Sequence, residues 1–107
     1  RLENRIKMAK IAIATIELTD PKDAGRSIAE VLKFLMRRIN APYRPKRIQI
    51  LKNKLQQLHE TSISNKYIPE NAVLGQCISL VMNSLHGQNP QYIRSVITNI
   101  INHLPYS

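Results

Sequence analysis

A chain of 107 residues with 43% hydrophobic side chains is the size of one domain and holds enough apolar material for a core, which excludes a disordered polypeptide. Aromatic residues make up only 5% and Trp is absent, so the core has to be built from Ile, Leu, Val, Met and Ala. Basic side chains outnumber acidic ones 16 to 7, a formal net charge of +9 that draws polyanions (nucleic acid, anionic lipid or an acidic protein) and says nothing of the fold.

Cys77 is the only cysteine, so no internal disulfide can form, and no Asn-x-Ser/Thr acceptor occurs. Both features accord with a reducing intracellular setting, cytoplasmic or nuclear. The apolar runs are interrupted well short of the ~18 residues that span a bilayer. The chain opens on Arg1 rather than Met, as expected of a segment of a longer protein or of a processed product, and a trimmed start would hide a signal peptide.

The periodicity predicts five helices and no strand. In the first, from about Leu2 to Leu18, residues Leu2, Ile6, Ala9, Ile13 and Ile16 recur at steps of four and three and line one face. Thr19-Asp20-Pro21 ends it, with Asp20 placed to cap the next turn and Pro21 in a first helical position. The second helix has two candidate starts. One is Pro21; the other is Ser27, which forms a capping-box pattern with Glu30, and Gly25 between them suggests a short turn before the main helix. Its buried face is Ile28, Leu32, Leu35 and Ile39, and Arg37 and Arg38 fall in its last turn.

The segment 40–45 carries Pro42 and Pro45 and reads as a stiff connector. The third helix then runs from about Pro45 to Glu60 with Ile48, Leu51, Leu55 and Leu58 inward, and a polar loop follows from Thr61 to Tyr67. Pro69 opens the fourth helix, which reaches about His86 and is apolar around most of its circumference, the pattern of a central helix. Gly87 caps it, and Asn89-Pro90 starts the fifth helix, which buries Ile93, Val96, Ile97, Ile100, Ile101 and Leu104 and stops at Pro105.

The expected fold is therefore all-α: one compact bundle of about five helices over residues 1–107. Short connectors favour antiparallel helical hairpins. A faint echo between the helix pairs 21–58 and 69–104 raises HEAT-like packing as an alternative.

Charge is distributed unevenly. From Val31 to His59 there is no Asp or Glu, while Lys33, Arg37, Arg38, Arg44, Lys46, Arg47, Lys52 and Lys54 fall within that stretch. Folding the second and third helices together would turn this run into a surface patch, with Arg37, Arg38, Arg44, Lys46 and Arg47 at its centre and Lys33, Lys52 and Lys54 at its margin. Guanidinium groups suit phosphate because they donate two parallel hydrogen bonds. The expected role is a nucleic-acid-binding or accessory domain, for RNA or DNA, that recognises the backbone with little sequence specificity. The connector is too long and proline-rich for a helix-turn-helix. Tyr43 is the only aromatic residue from Arg37 to Lys54, where single-strand binders offer several, and is expected to serve packing or the turn; stacking or polar contacts from Tyr43 and Gln49 are the alternative. A protein–protein adaptor is the main rival, holding an acidic partner in a groove rimmed by the same bases, and a membrane-surface role ranks third.

Catalysis is not expected, and neither is a cofactor or metal. His59, His86 and His103 fall on different helices, and none has a metal-ligand spacing to Cys77. Cys77 sits among core residues of the fourth helix and reads as a small buried hydrophobe. Ser79 and His86 are two turns apart, and no glycine-rich phosphate loop or paired carboxylates occur. Met8, Ile11, Ala12 and Ala14 lie outside the main stripe of the first helix. They are expected to be covered because that helix packs between two others; contact with a neighbouring domain or a second copy is the alternative.

Overall fold

The computed structural model of the chain describes residues 1–60 and 71–105. Five α-helices account for most of them: α1 (Leu2–Ala14), α2 (Pro21–Met36), α3 (Arg44–Glu60), α4 (Ala72–Leu85) and α5 (Pro90–His103), with one 3-10 turn at Ala41–Tyr43. No strand occurs among the described residues, so the fold is an all-α bundle. Its core is aliphatic, as the scarcity of aromatics requires, and no polar or charged side chain among the described residues is buried in it.

The helix ends follow local chemistry. Asn71 caps α4 by accepting from the backbone N–H of Val73 and Leu74 at 2.9 and 3.2 Å, and Asn89 caps α5 by accepting from Gln91 N–H at 2.8 Å. Helix α4 therefore begins at Ala72; Pro69, the expected start, and the loop Thr61–Tyr67 lie outside the described residues. Gly87 takes φ +80°, the left-handed conformation that ends the α4 segment with little strain for glycine. Helix α1 stops at Ala14, four residues short of the expected Leu18. There the Thr15 hydroxyl donates to Ala12 O at 2.7 Å, and the N–H groups of Thr15 and Ile16 bond three residues back rather than four, tightening the last turn.

Helix α2 is continuous from Pro21, so Gly25 interrupts nothing and Ser27 lies inside the helix rather than capping it. Gly25 serves packing instead. A Cβ there would lie 2.4 Å from Asn99 Cβ and 2.9 Å from Val96 O, so its absence lets the backbones of α2 and α5 approach closely.

That α2–α5 contact is the most extensive in the bundle. Helix α2 also packs on α1 and α4, while α3 packs on α4 and α5. The largest pairing thus crosses between the two sequence halves, while α1–α2 and α3–α4 join successive helices, and α2 rather than α4 is the hub. Helix α4 does bury Val73, Leu74, Cys77, Ile78, Leu80, Val81 and Leu85, but it spreads them over contacts with α1, α2 and α3. No helix among the described residues is long and apolar enough to cross a membrane.

Candidate functional site

The acid-free stretch folds into the corner where α2 ends, the 3-10 turn reverses the chain and α3 begins. Helix α2 leaves carbonyls without intrahelical donors at its C-terminus, and its last N–H bonds already tighten to three-residue spacing at Arg38 and Ile39. Arg44 supplies the missing donors. Its guanidinium gives two hydrogen bonds to Ile39 O, at 2.8 and 3.2 Å, and a longer one to Arg37 O at 3.4 Å. This holds the first residue of α3 within one side-chain length of the backbone of Arg37 and Ile39. Pro42 and Pro45 assist by fixing φ in the turn and in the first turn of α3, where a missing N–H is tolerated.

The eight expected cations separate by what they already hold. Lys33 donates to Glu30 Oε2 at 2.7 Å, one turn back along α2, so its charge is balanced locally. The same hydrogen bond holds the Glu30 carboxyl below its ordinary range, against an upward push from burial; Arg37 and His103 add to the lowering. Arg44 is committed to backbone carbonyls. Lys54 donates to Gln57 Oε1 at 3.4 Å, and neither Lys52 nor Lys54 is free. Arg37, Arg38, Lys46 and Arg47 remain, their side chains making no hydrogen bond or ion pair to another described residue, although Arg37 is near enough to Glu30 to help lower its carboxyl. Arg37, Arg38 and Lys46 are exposed, and Arg47 is half-buried.

Helical spacing sorts the α3 cations further. Arg47, Ile50 and Lys54 recur at steps of three and four along one flank, with Lys46 next to them on the solvent side. Lys52 falls on the opposite flank, the side of His59. Arg37 and Arg38 thus stand just past the end of α2 and Lys46 and Arg47 in the first turn of α3, either side of the corner, with Lys52 on the far flank of α3.

Tyr43 lies in the 3-10 turn, but packing is not its role: it is 62% exposed. Ile39 and Ile48 are buried beneath the corner, which leaves the ring outside. Two other large hydrophobic side chains are exposed, Met8 at 58% and Ile11 at 66%, both on α1. Helix α1 does pack on both α2 and α4, as its main stripe predicts, yet this leaves Met8 and Ile11 uncovered. Beside them Met8, Ala9, Ala12, Val31 and Phe34 form a shallow groove of about 260 Å³ with Glu30 in its wall. A larger groove of about 500 Å³ lies between Ile13, Ile16, Leu18, Ile28 and Leu80, with Lys10, Asn83 and Ser84 at its polar edge.

No motif or periodicity marks Arg5. It donates to Phe34 O at 3.1 Å and its guanidinium lies 4.7 Å from the centre of the Phe34 ring, fastening α1 to α2.

Cys77 is fully buried, and burial pushes its thiol up to about 12, so at neutral pH it is a protonated, shielded core residue. His103 Nδ1 sits 2.8 Å from Asn99 O one turn back, while His86 is exposed at the end of α4. No group of three or more His, Cys, Asp or Glu among the described residues is arranged to hold a metal ion. Compared with protein-family models, with curated proteins and with solved structures, the chain matches none of them.

Proposed function

We propose that this domain binds the phosphate backbone of nucleic acid through the corner joining α2 to α3. The observation that carries this reading is the set Arg37, Arg38, Lys46 and Arg47: four cations flanking the clasped corner in the chain, none of them within ion-pair distance of a described carboxylate. A fold that needs surface charge only for solubility gains more by interspersing both signs. Arg can grip a phosphate with two parallel donors, and each neutralised phosphate releases condensed counterions, which supplies the driving force.

Helix electrostatics support the same reading. Helix α3 has no acid in its first turn and carries Arg44, Lys46 and Arg47 there, next to the positive end of its own dipole. That placement opposes folding by up to ~1 kcal/mol per charge. Arg44 recovers the loss through the carbonyls it holds; Lys46 and Arg47 have no such return within the described fold. A docking groove for an acidic partner would need apolar walls rimmed by these bases. None of the eight cations lines either groove, which favours the polyanion.

The test is charge reversal at Arg37, Arg38 and Arg47 together, followed by titration of a labelled oligonucleotide. Loss of binding with unchanged helical content is the expected result. Undiminished binding by the triple variant refutes the assignment.

A further inference from the structure

The exposed aromatic in the turn at this corner points to the kind of nucleic acid it takes. We infer that the corner binds single-stranded nucleic acid, with one base stacked on the Tyr43 ring and the flanking phosphates held by Lys46, Arg47 and the arginines at the end of α2. The inference rests on the polyanion reading above and narrows it.

Tyr43 is the last residue of the 3-10 turn, and Arg44 continues directly into α3 with φ −64° and ψ −44°. The turn and the helix are therefore one continuous right-handed rod. Residues three and four apart on such a rod are neighbours, so Tyr43 shares a face with Lys46 and Arg47. The ring is 62% exposed and its hydroxyl has no partner among the described residues, so neither packing nor a hydrogen bond accounts for a tyrosine here. Below it the core is closed by Ile39 and Ile48, which need no aromatic cover.

A ring on one helical face with Lys46 and Arg47 offers a single strand what it needs: a π-surface for an unpaired base, with adjacent charge for the backbone. Duplex DNA keeps its bases stacked within the helix and presents chiefly phosphates to such an edge, so it would gain from the cations and not from the ring. The other exposed hydrophobics, Met8 and Ile11, are aliphatic, so no stacking role attaches to α1.

The experiment measures binding of a labelled single-stranded oligonucleotide, its duplex, and a single strand of the same length built from abasic residues. These are titrated against the unaltered chain, Tyr43→Ala, Tyr43→Phe and the triple charge reversal. Stacking of one base is worth about tenfold or more in affinity. The unaltered chain should prefer the base-bearing strand to the abasic strand by about that factor, and Tyr43→Ala should remove the preference. Tyr43→Phe should keep it, and duplex affinity should be the same in all three. Equal loss of single-strand and duplex binding in Tyr43→Ala overturns the inference, as does no loss at all. If either occurs while the charge reversal still abolishes binding, only the stacking assignment fails. If the charge reversal changes nothing, the polyanion reading fails with it.

Discussion

Lys46→Glu separates a binding residue from a structural one because the two roles predict opposite signs. Lys46 is exposed near the start of α3, in a first turn that lacks any acid. A cation there is unfavourable by about 0.3–1 kcal/mol, and an anion is favourable by a similar amount. Reversal should therefore stabilise the domain by about 1 kcal/mol. For a domain of this size, ~1 kcal/mol raises Tm by roughly 4–8 °C. The same change removes one phosphate contact and puts repulsion in its place, so nucleic-acid affinity should fall by about tenfold or more. Thermal unfolding followed by circular dichroism gives the first quantity, and anisotropy titration of an oligonucleotide gives the second. A lower Tm would show that Lys46 supports the fold and would refute the dipole argument. A raised Tm with unchanged affinity would remove Lys46 from the interface.

Three further outcomes follow from the packing. Gly25→Ala should destabilise by about 1–2 kcal/mol net, since overpacking against Asn99 Cβ at 2.4 Å and Val96 O at 2.9 Å outweighs the helix propensity gained; a midpoint shift in urea unfolding measures it, and an unchanged midpoint would mean that α5 yields freely. Arg44→Met should cost about 1.5–3 kcal/mol by leaving Ile39 O and Arg37 O without their donor, and Arg44→Lys should recover only part because an ammonium has no fork; full stability in Arg44→Met would deny the corner its clasp. Cys77 should resist thiol reagents in the native state and react only on unfolding. Its thiol is pushed from 9.0 to about 12, so the folded form keeps its proton where the unfolded form loses it, and this contribution to stability, complete below about pH 9, should decline between pH 9 and 12 by up to ~1.4 kcal/mol per pH unit. Cys77→Ala should flatten that decline.

The sequence displays what is local. Asn89, Gly87 and Pro21 marked helix ends because a cap acts on residues two or three positions away, and the same reach explains why the i,i+3 pairing of Glu30 with Lys33 lies open in the pattern. Thr15 was harder to read: a threonine hydroxyl that bonds back to Ala12 ends one helix and is tolerated inside another. Gly25 looked like a break because a glycine announces freedom of the backbone, whereas its use depends on Asn99, over seventy residues further along. The crossing of α2 with α5 is hidden for the same reason, since any aliphatic stripe can pair with any other. The basic cluster was legible as composition. Its division was not: phosphate oxygens and helix-end carbonyls invite the same guanidinium, and only the fold assigns Arg44 to the carbonyls while leaving Arg37, Arg38 and Arg47 free of them. Tyr43 illustrates the limit most clearly, because a lone aromatic in a turn carries no mark of whether its ring faces the core or the solvent.

The central claim is that four cations at the α2–α3 corner each neutralise a phosphate. The salt dependence of affinity measures that number directly. Between roughly 50 and 200 mM salt, the logarithm of the association constant should fall linearly with the logarithm of salt concentration, with a slope between about −3 and −4. A slope shallower than about −1 would mean that the corner does not hold a phosphate backbone.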